Sequence, residues 1–145
     1  MKNLISLLSV VLFFSCSQPQ SVSVQSPDEN IRLHFGVNDS AQIVYSVDYI
    51  DKNVIEESQL GFQFSEENLF GNNLEIISTE KTSVDTAWKP VYGELSEIRN
   101  HYNQLKIQLR ETISPEREFE MVFRVYDEGV AFNYTFLPQD GRKSL

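Results

Sequence analysis

Between Glu118 and Phe136 the sequence permits little besides a β-hairpin. Phe119, Met121, Phe123 and Val125 recur at every second residue, with Glu118, Glu120 and Arg124 among the residues between them. After Tyr126-Asp127-Glu128-Gly129 the alternation resumes. Val130, Phe132, Tyr134 and Phe136 fall on one side, and Ala131, Asn133 and Thr135 on the other. Successive strand side chains point to opposite faces, so a period of two marks a strand. The tetrapeptide reads as the turn, with Gly129 placed for a positive φ and a bulge. Eight large apolar side chains on one hairpin face require a second sheet to cover them, at about 2 kcal/mol of transfer free energy each. These residues are core and carry no chemistry.

Shorter strips of the same kind precede the hairpin. Ile31, Leu33 and Phe35 oppose Arg32 and His34; Ile43, Tyr45, Val47 and Tyr49 follow, with Asp51-Lys52-Asn53 as the next turn. Leu60, Phe62 and Phe64 form a third strip, Leu74 and Ile76 a weaker one, and Leu105, Ile107 and Leu109 alternate with Lys106, Gln108 and Arg110. Such strips near ten-residue spacing, without an amphipathic helix between them, predict an all-β fold, an antiparallel β-sandwich.

The N-terminus reads as an export signal. Lys2 precedes an apolar stretch, Leu4 to Phe14, interrupted only by Ser6 and Ser9. That stretch is shorter than the ~20 residues needed to span a bilayer. Ser15-Cys16 follows in the manner of a bacterial lipoprotein signal, so Cys16 is the expected lipidation site and residues 1–15 the signal peptide. Cys16 is the only cysteine, and no disulfide is available to the fold. Residues 16–26, rich in Ser, Gln, Pro and Val, read as a flexible tether. Residues 27–145 are expected to form one β domain, incomplete because nothing closes the sandwich after Phe136-Leu137-Pro138. The expected location is the periplasm or outer membrane, held by lipid.

Removing residues 1–15 leaves 11 basic against 21 acidic side chains, a formal charge of −10. An acidic domain without a Lys/Arg cluster is not a nucleic-acid binder, because phosphate contacts need basic patches. Neutral ligands and cations remain.

The segment Trp88 to His101 is the one candidate for chemistry. It lacks helical periodicity, and Pro90 and Gly93 break any helix, so it reads as a loop on the sheet. Trp88, Tyr92, Glu94, Arg99, Asn100 and His101 are its candidate contact residues, for a substrate or for another domain. Trp88 could stack on a pyranose or plug an edge of the sandwich. Glu94, Glu97, Arg99 and Asn100 could form a polar network that fixes the loop, and structure or interface is the preferred reading throughout. No HExxH, phosphate-binding glycine loop, GxSxG or CxxC motif occurs. His34 alternates with core residues and reads as a solvent-side bystander. Glu56-Glu57, Glu66-Glu67 and Asp127-Glu128 read as solvated turn acids, because glycoside hydrolysis needs two carboxylates facing each other.

Three segments together resemble the N-terminal domain of glycoside hydrolase family 97. They are Trp88-Lys89-Pro90-Val91-Tyr92-Gly93-Glu94, Ile98-Arg99-Asn100-His101-Tyr102-Asn103-Gln104-Leu105 and Phe123 to Tyr134. Ser26-Pro27-Asp28, Tyr45-Ser46-Val47 and Ser58-Gln59-Leu60-Gly61 agree with it as well, so the resemblance runs from about Ser26 to Phe136. It implies part of a galactose-mutarotase-like β-super-sandwich, belonging to an exported α-glucosidase or α-galactosidase of a glycan-degrading bacterium. The catalytic residues would lie in a (β/α)8 barrel of the same parent protein, so none is assigned here. Calcium is expected in the full-length enzyme, with no ligand assignable in this chain, and neutral α-linked glycans are the implied substrates. The resemblance makes the Trp88–His101 segment the candidate contact with the barrel. The alternatives are a free-standing carbohydrate-binding lipoprotein, in which Trp88 would grip the glycan, and a structural sandwich without a ligand.

Overall fold

The computed structural model describes residues 21–65, 68–114 and 116–136. Cys16, the expected signal peptide, Glu66-Glu67 and residues 137–145 lie outside them. Ten strands follow in chain order: β1 Ser21–Gln25, β2 Ile31–Val37, β3 Ile43–Tyr49, β4 Lys52–Gln59, β5 Phe62–Ser65, β6 Asn68–Phe70, β7 Leu74–Trp88, β8 Ile98–Glu111, β9 Glu118–Tyr126 and β10 Gly129–Phe136. Strands β1-β2-β3-β4 form one antiparallel sheet and β10-β9-β8-β7 the other, with β5 and β6 as a separate pair. The antiparallel sandwich expected from the alternation is the observed architecture.

The periodic strips supply its core. Leu33, Phe35 and Ile43 of the first sheet meet Leu105, Ile107, Leu109, Phe119, Met121, Phe123 and Val125 of the second, all essentially inaccessible to solvent. The rings of Phe35 and Phe123 lie 5.5 Å apart across the interface. Gly71 is held at φ 125°, and a Cβ there would come within 2.7 Å of the Leu60 carbonyl oxygen, so only glycine fits.

Several expectations require correction. The tether expected over residues 16–26 does not include Ser21–Gln25, which pair with β2 as an edge strand, Val24 entering the core. The turn after β3 falls at Ile50-Asp51, both at positive φ, with Tyr49 paired to Lys52. Two register shifts in β4 destroy the alternation that would have announced it, and seven of its eight residues are exposed. Gly129 has no positive φ and makes no bulge, since Tyr126 and Gly129 pair directly across Asp127-Glu128. The apolar face of the last hairpin is only half covered. Its β9 residues are buried, but Phe132 and Phe136 on edge strand β10 remain 44% and 43% exposed.

One turn ties the two sheets together. The Asp28 backbone N–H donates to the Asp127 carboxylate at 2.9 Å, while the Ser26 hydroxyl and both nitrogens of Asn30 donate to the Asp28 carboxylate. These hydrogen bonds, Ser26's first and the Asn30 N–H next, hold Asp28 below its ordinary value of 3.8. A depressed carboxylate stabilises the fold above its unfolded value, and that contribution is lost as pH falls through the folded value. Urea midpoints of the wild type and Asp28→Asn should therefore differ near neutrality and converge as pH drops below 3.8. A gap that widens on acidification would contradict this role.

Candidate functional site

The segment from Trp88 to His101 is the end of a hairpin arm. Strand β7 runs to Trp88 and β8 starts at Ile98, so the loop is residues 89–97 alone. Trp88, Arg99, Asn100 and His101 are strand residues, which corrects the fourteen-residue loop expected from the sequence. Pro90 and Gly93, the latter at φ 140°, do fall in the turn region. The arm forms because its strands pair regularly over Ser78–Trp88 and Ile98–Gln108, although Ser78–Trp88 carry little apolar periodicity. Backbone pairing holds it out from the sandwich.

Alternation splits the candidate residues between two faces of the arm. Arg99 and His101 share the face of core residues Leu105, Ile107 and Leu109, where Asp85 sits opposite His101. Arg99 donates Nε and a terminal nitrogen to both Asp85 oxygens, at 2.8 and 2.7 Å. The pairing draws Asp85 below its ordinary value and raises Arg99 above its own. In so exposed a pair the attraction is largely screened, so it orients the arm more than it stabilises the fold. Trp88, Ile98, Asn100, Val84 and Tyr102 occupy the other face, with Trp88 directly opposite Ile98 and Val84 opposite Tyr102. Tyr102 is buried there against Tyr126, ring centroids 5.1 Å apart, and under the Arg124 guanidinium.

The tip holds apolar side chains open to water. Val91 and Tyr92 are 99% and 90% exposed, with Leu95 and Trp88 also exposed. Tyr92 and Glu94 lie in the turn, away from Arg99, Asn100 and His101, so the six candidates do not converge on one point. A groove of about 430 Å³ lies between β1 and the arm, lined by Ser23, Val24, Gln25, Lys81, Thr82, Ser83 and Asn103, and by none of the six. Among the described residues no group of three or more His, Cys, Asp or Glu is placed to hold a metal ion, so the calcium implied by the resemblance finds no ligand set there. Asp85 is the member of this region that sequence reasoning missed. Only strand register reveals that it lies beside Arg99.

The outer sheet faces keep the bystanders apart from this region. His34 lies on β2 with its Nε2 2.9 Å from Asp48, and Glu56 and Glu57 are exposed on β4. Asp127-Glu128 is a turn, as expected.

These features define an all-β sandwich domain with a projecting two-stranded arm. Within that class the chain belongs to the glycosyl-hydrolase 97 N-terminal family, whose model matches residues 24–144. It is 26% identical over 128 residues to a retaining alpha-galactosidase of Bacteroides thetaiotaomicron, covering 88% of this chain and 18% of that protein. A glycoside hydrolase family 97 enzyme of Pseudoalteromonas sp. strain K8, solved with acarbose, superimposes with a TM-score of 0.77 at 29% identity, over 83% of this chain and 18% of that one. A beta-arabinopyranosidase structure gives a TM-score of 0.74 at 30% identity, over 83% and 19%. The chain thus spans about a fifth of the length of these relatives.

Proposed function

We propose that this chain is the supporting N-terminal sandwich of an exported, lipid-anchored family 97 glycosidase, and that its arm seats the catalytic barrel of the same parent protein. The observation that carries the docking role is the arm tip. Val91, Tyr92 and Leu95 stand in water at the end of the hairpin, as side chains do that another surface covers. The relatives' names span alpha-galactosidase and beta-arabinopyranosidase, and one is solved with acarbose. α-Glucosides and α-galactosides are the proposed substrates, in glycan degradation. The signal-like Lys2–Cys16 segment supports export and lipidation at Cys16.

The test is to read the gene past the Leu145 codon and express both the chain and the longer product. The chain alone should release no nitrophenol from nitrophenyl α-glucoside or α-galactoside, and the longer product should release it. Cys16→Ala should move that activity from the membrane to the soluble fraction. A stop codon directly after Leu145, or turnover by the chain alone, would overturn the reading.

A further inference from the structure

Strand β7 is 15 residues long, and among the described residues no strand pairs with its outer edge. From Ser78 to Trp88 its pairing with β8 runs without irregularity. The other sheet edges are less open. The Gln25 carbonyl of β1 accepts from the Asn103 side chain at 2.9 Å, β4 is broken by two register shifts, and β10 leads straight into residues outside the described set. An unpaired edge of this length presents a row of N–H and C=O groups that templates another strand.

Its charges select one partner and one register. The run Thr79-Glu80-Lys81-Thr82-Ser83-Val84-Asp85-Thr86-Ala87 carries Lys81 and Asp85 on the same face, symmetrically about Ser83. We propose that β7 pairs antiparallel with β7 of a second copy of this chain about a two-fold axis at Ser83, joining two four-stranded sheets into one of eight. There Lys81 faces the partner's Asp85, and Asp85 faces the partner's Lys81. Two-fold symmetry repeats each contact, so one complementary pair counts twice. Registers centred on Lys81 or on Asp85 would instead set like charges opposite each other, which is destabilising. Lys81 makes no ion pair among the described residues, so its charge is available. Asp85 is held by Arg99 from the β8 side, and a carboxylate has acceptor capacity for a second cation from the other side. This inference stands apart from the docking role of the tip, because it uses the edge of the arm.

Sedimentation equilibrium of the 145-residue chain over roughly 1–300 µM should show a monomer–dimer equilibrium. Lys81→Asp puts two carboxylates opposite each other twice over and should weaken the dimer about tenfold. The double variant K81D/D85K restores opposite charges and should recover the dimer. Both substituted positions are exposed, and matching circular dichroism would verify the folds. In hydrogen exchange, Thr79–Ala87 amides should become more protected as concentration rises. A monomer throughout the range, a dimer indifferent to Lys81→Asp, or exchange independent of concentration would overturn the proposal.

Discussion

Phe123→Ala should lower the stability of the domain by about 3–5 kcal/mol, enough to unfold much of it near physiological temperature. Phe123 is completely buried at the centre of the sandwich, 5.5 Å from the Phe35 ring and 5.6 Å from that of Phe132. Its removal opens a cavity between two sheets whose strands hold the surrounding backbone in place, so little collapse can refill it. Urea unfolding followed by circular dichroism gives the loss directly. Phe132→Ala is the comparison, since that ring is already 44% exposed and should cost clearly less. Equal losses would mean that the sandwich core is not centred on Phe123.

Arg117→Ala should be nearly as damaging, for an electrostatic reason. Glu111 is only 5% exposed, and Arg117 reaches it through Nε at 2.8 Å and a terminal nitrogen at 2.6 Å, with the Arg117 N–H adding a third bond at 3.1 Å. The Glu111 N–H in turn donates to the Arg117 carbonyl, closing the β8–β9 connection. Removing the guanidinium leaves a carboxylate desolvated beside the core, which costs about 3 kcal/mol or more. Urea unfolding of the wild type and Arg117→Ala at neutral pH gives the loss directly. The double variant E111Q/R117M should recover much of the loss, because neither charge then remains buried. A loss that E111Q/R117M fails to recover would show that Arg117 acts by packing alone.

The sequence was legible where burial was one-sided. Strands β2, β3, the inner part of β8, and β9 each send alternate residues into a dry core, and period two follows from that necessity. It failed wherever a strand is held by backbone pairing alone. Strand β7 beyond Ile76 is exposed on both faces, so Glu80 to Trp88 carry no apolar period to read. The bulges of β4 shift Ile55 and Ser58 out of simple alternation. Strand β1 does alternate, but its Ser and Gln composition resembles that of a tether. For the candidate site, Pro90 and Gly93 located the turn correctly, while the extent of the flanking strands and the Asp85–Arg99 pair depended on register. The family resemblance carried what periodicity could not, namely that the domain belongs with a glycosidase.

The simple strand order of the two sheets has a consequence for how the chain acquires its structure. In both sheets each strand pairs with its neighbour in sequence, so every ladder closes over a short connection. The long reaches lie across the sandwich: Asn103 to Gln25, 78 residues apart, and Asp28 to Asp127, 99 apart. Each sheet is thus a local folding unit, and their docking is the non-local and slower event. During synthesis the first sheet can pair before the second exists, yet Leu33, Phe35 and Ile43 stay wet until β9 emerges. For that interval the nascent chain is a sticky half-sandwich, and a chaperone has its longest opportunity to hold it open.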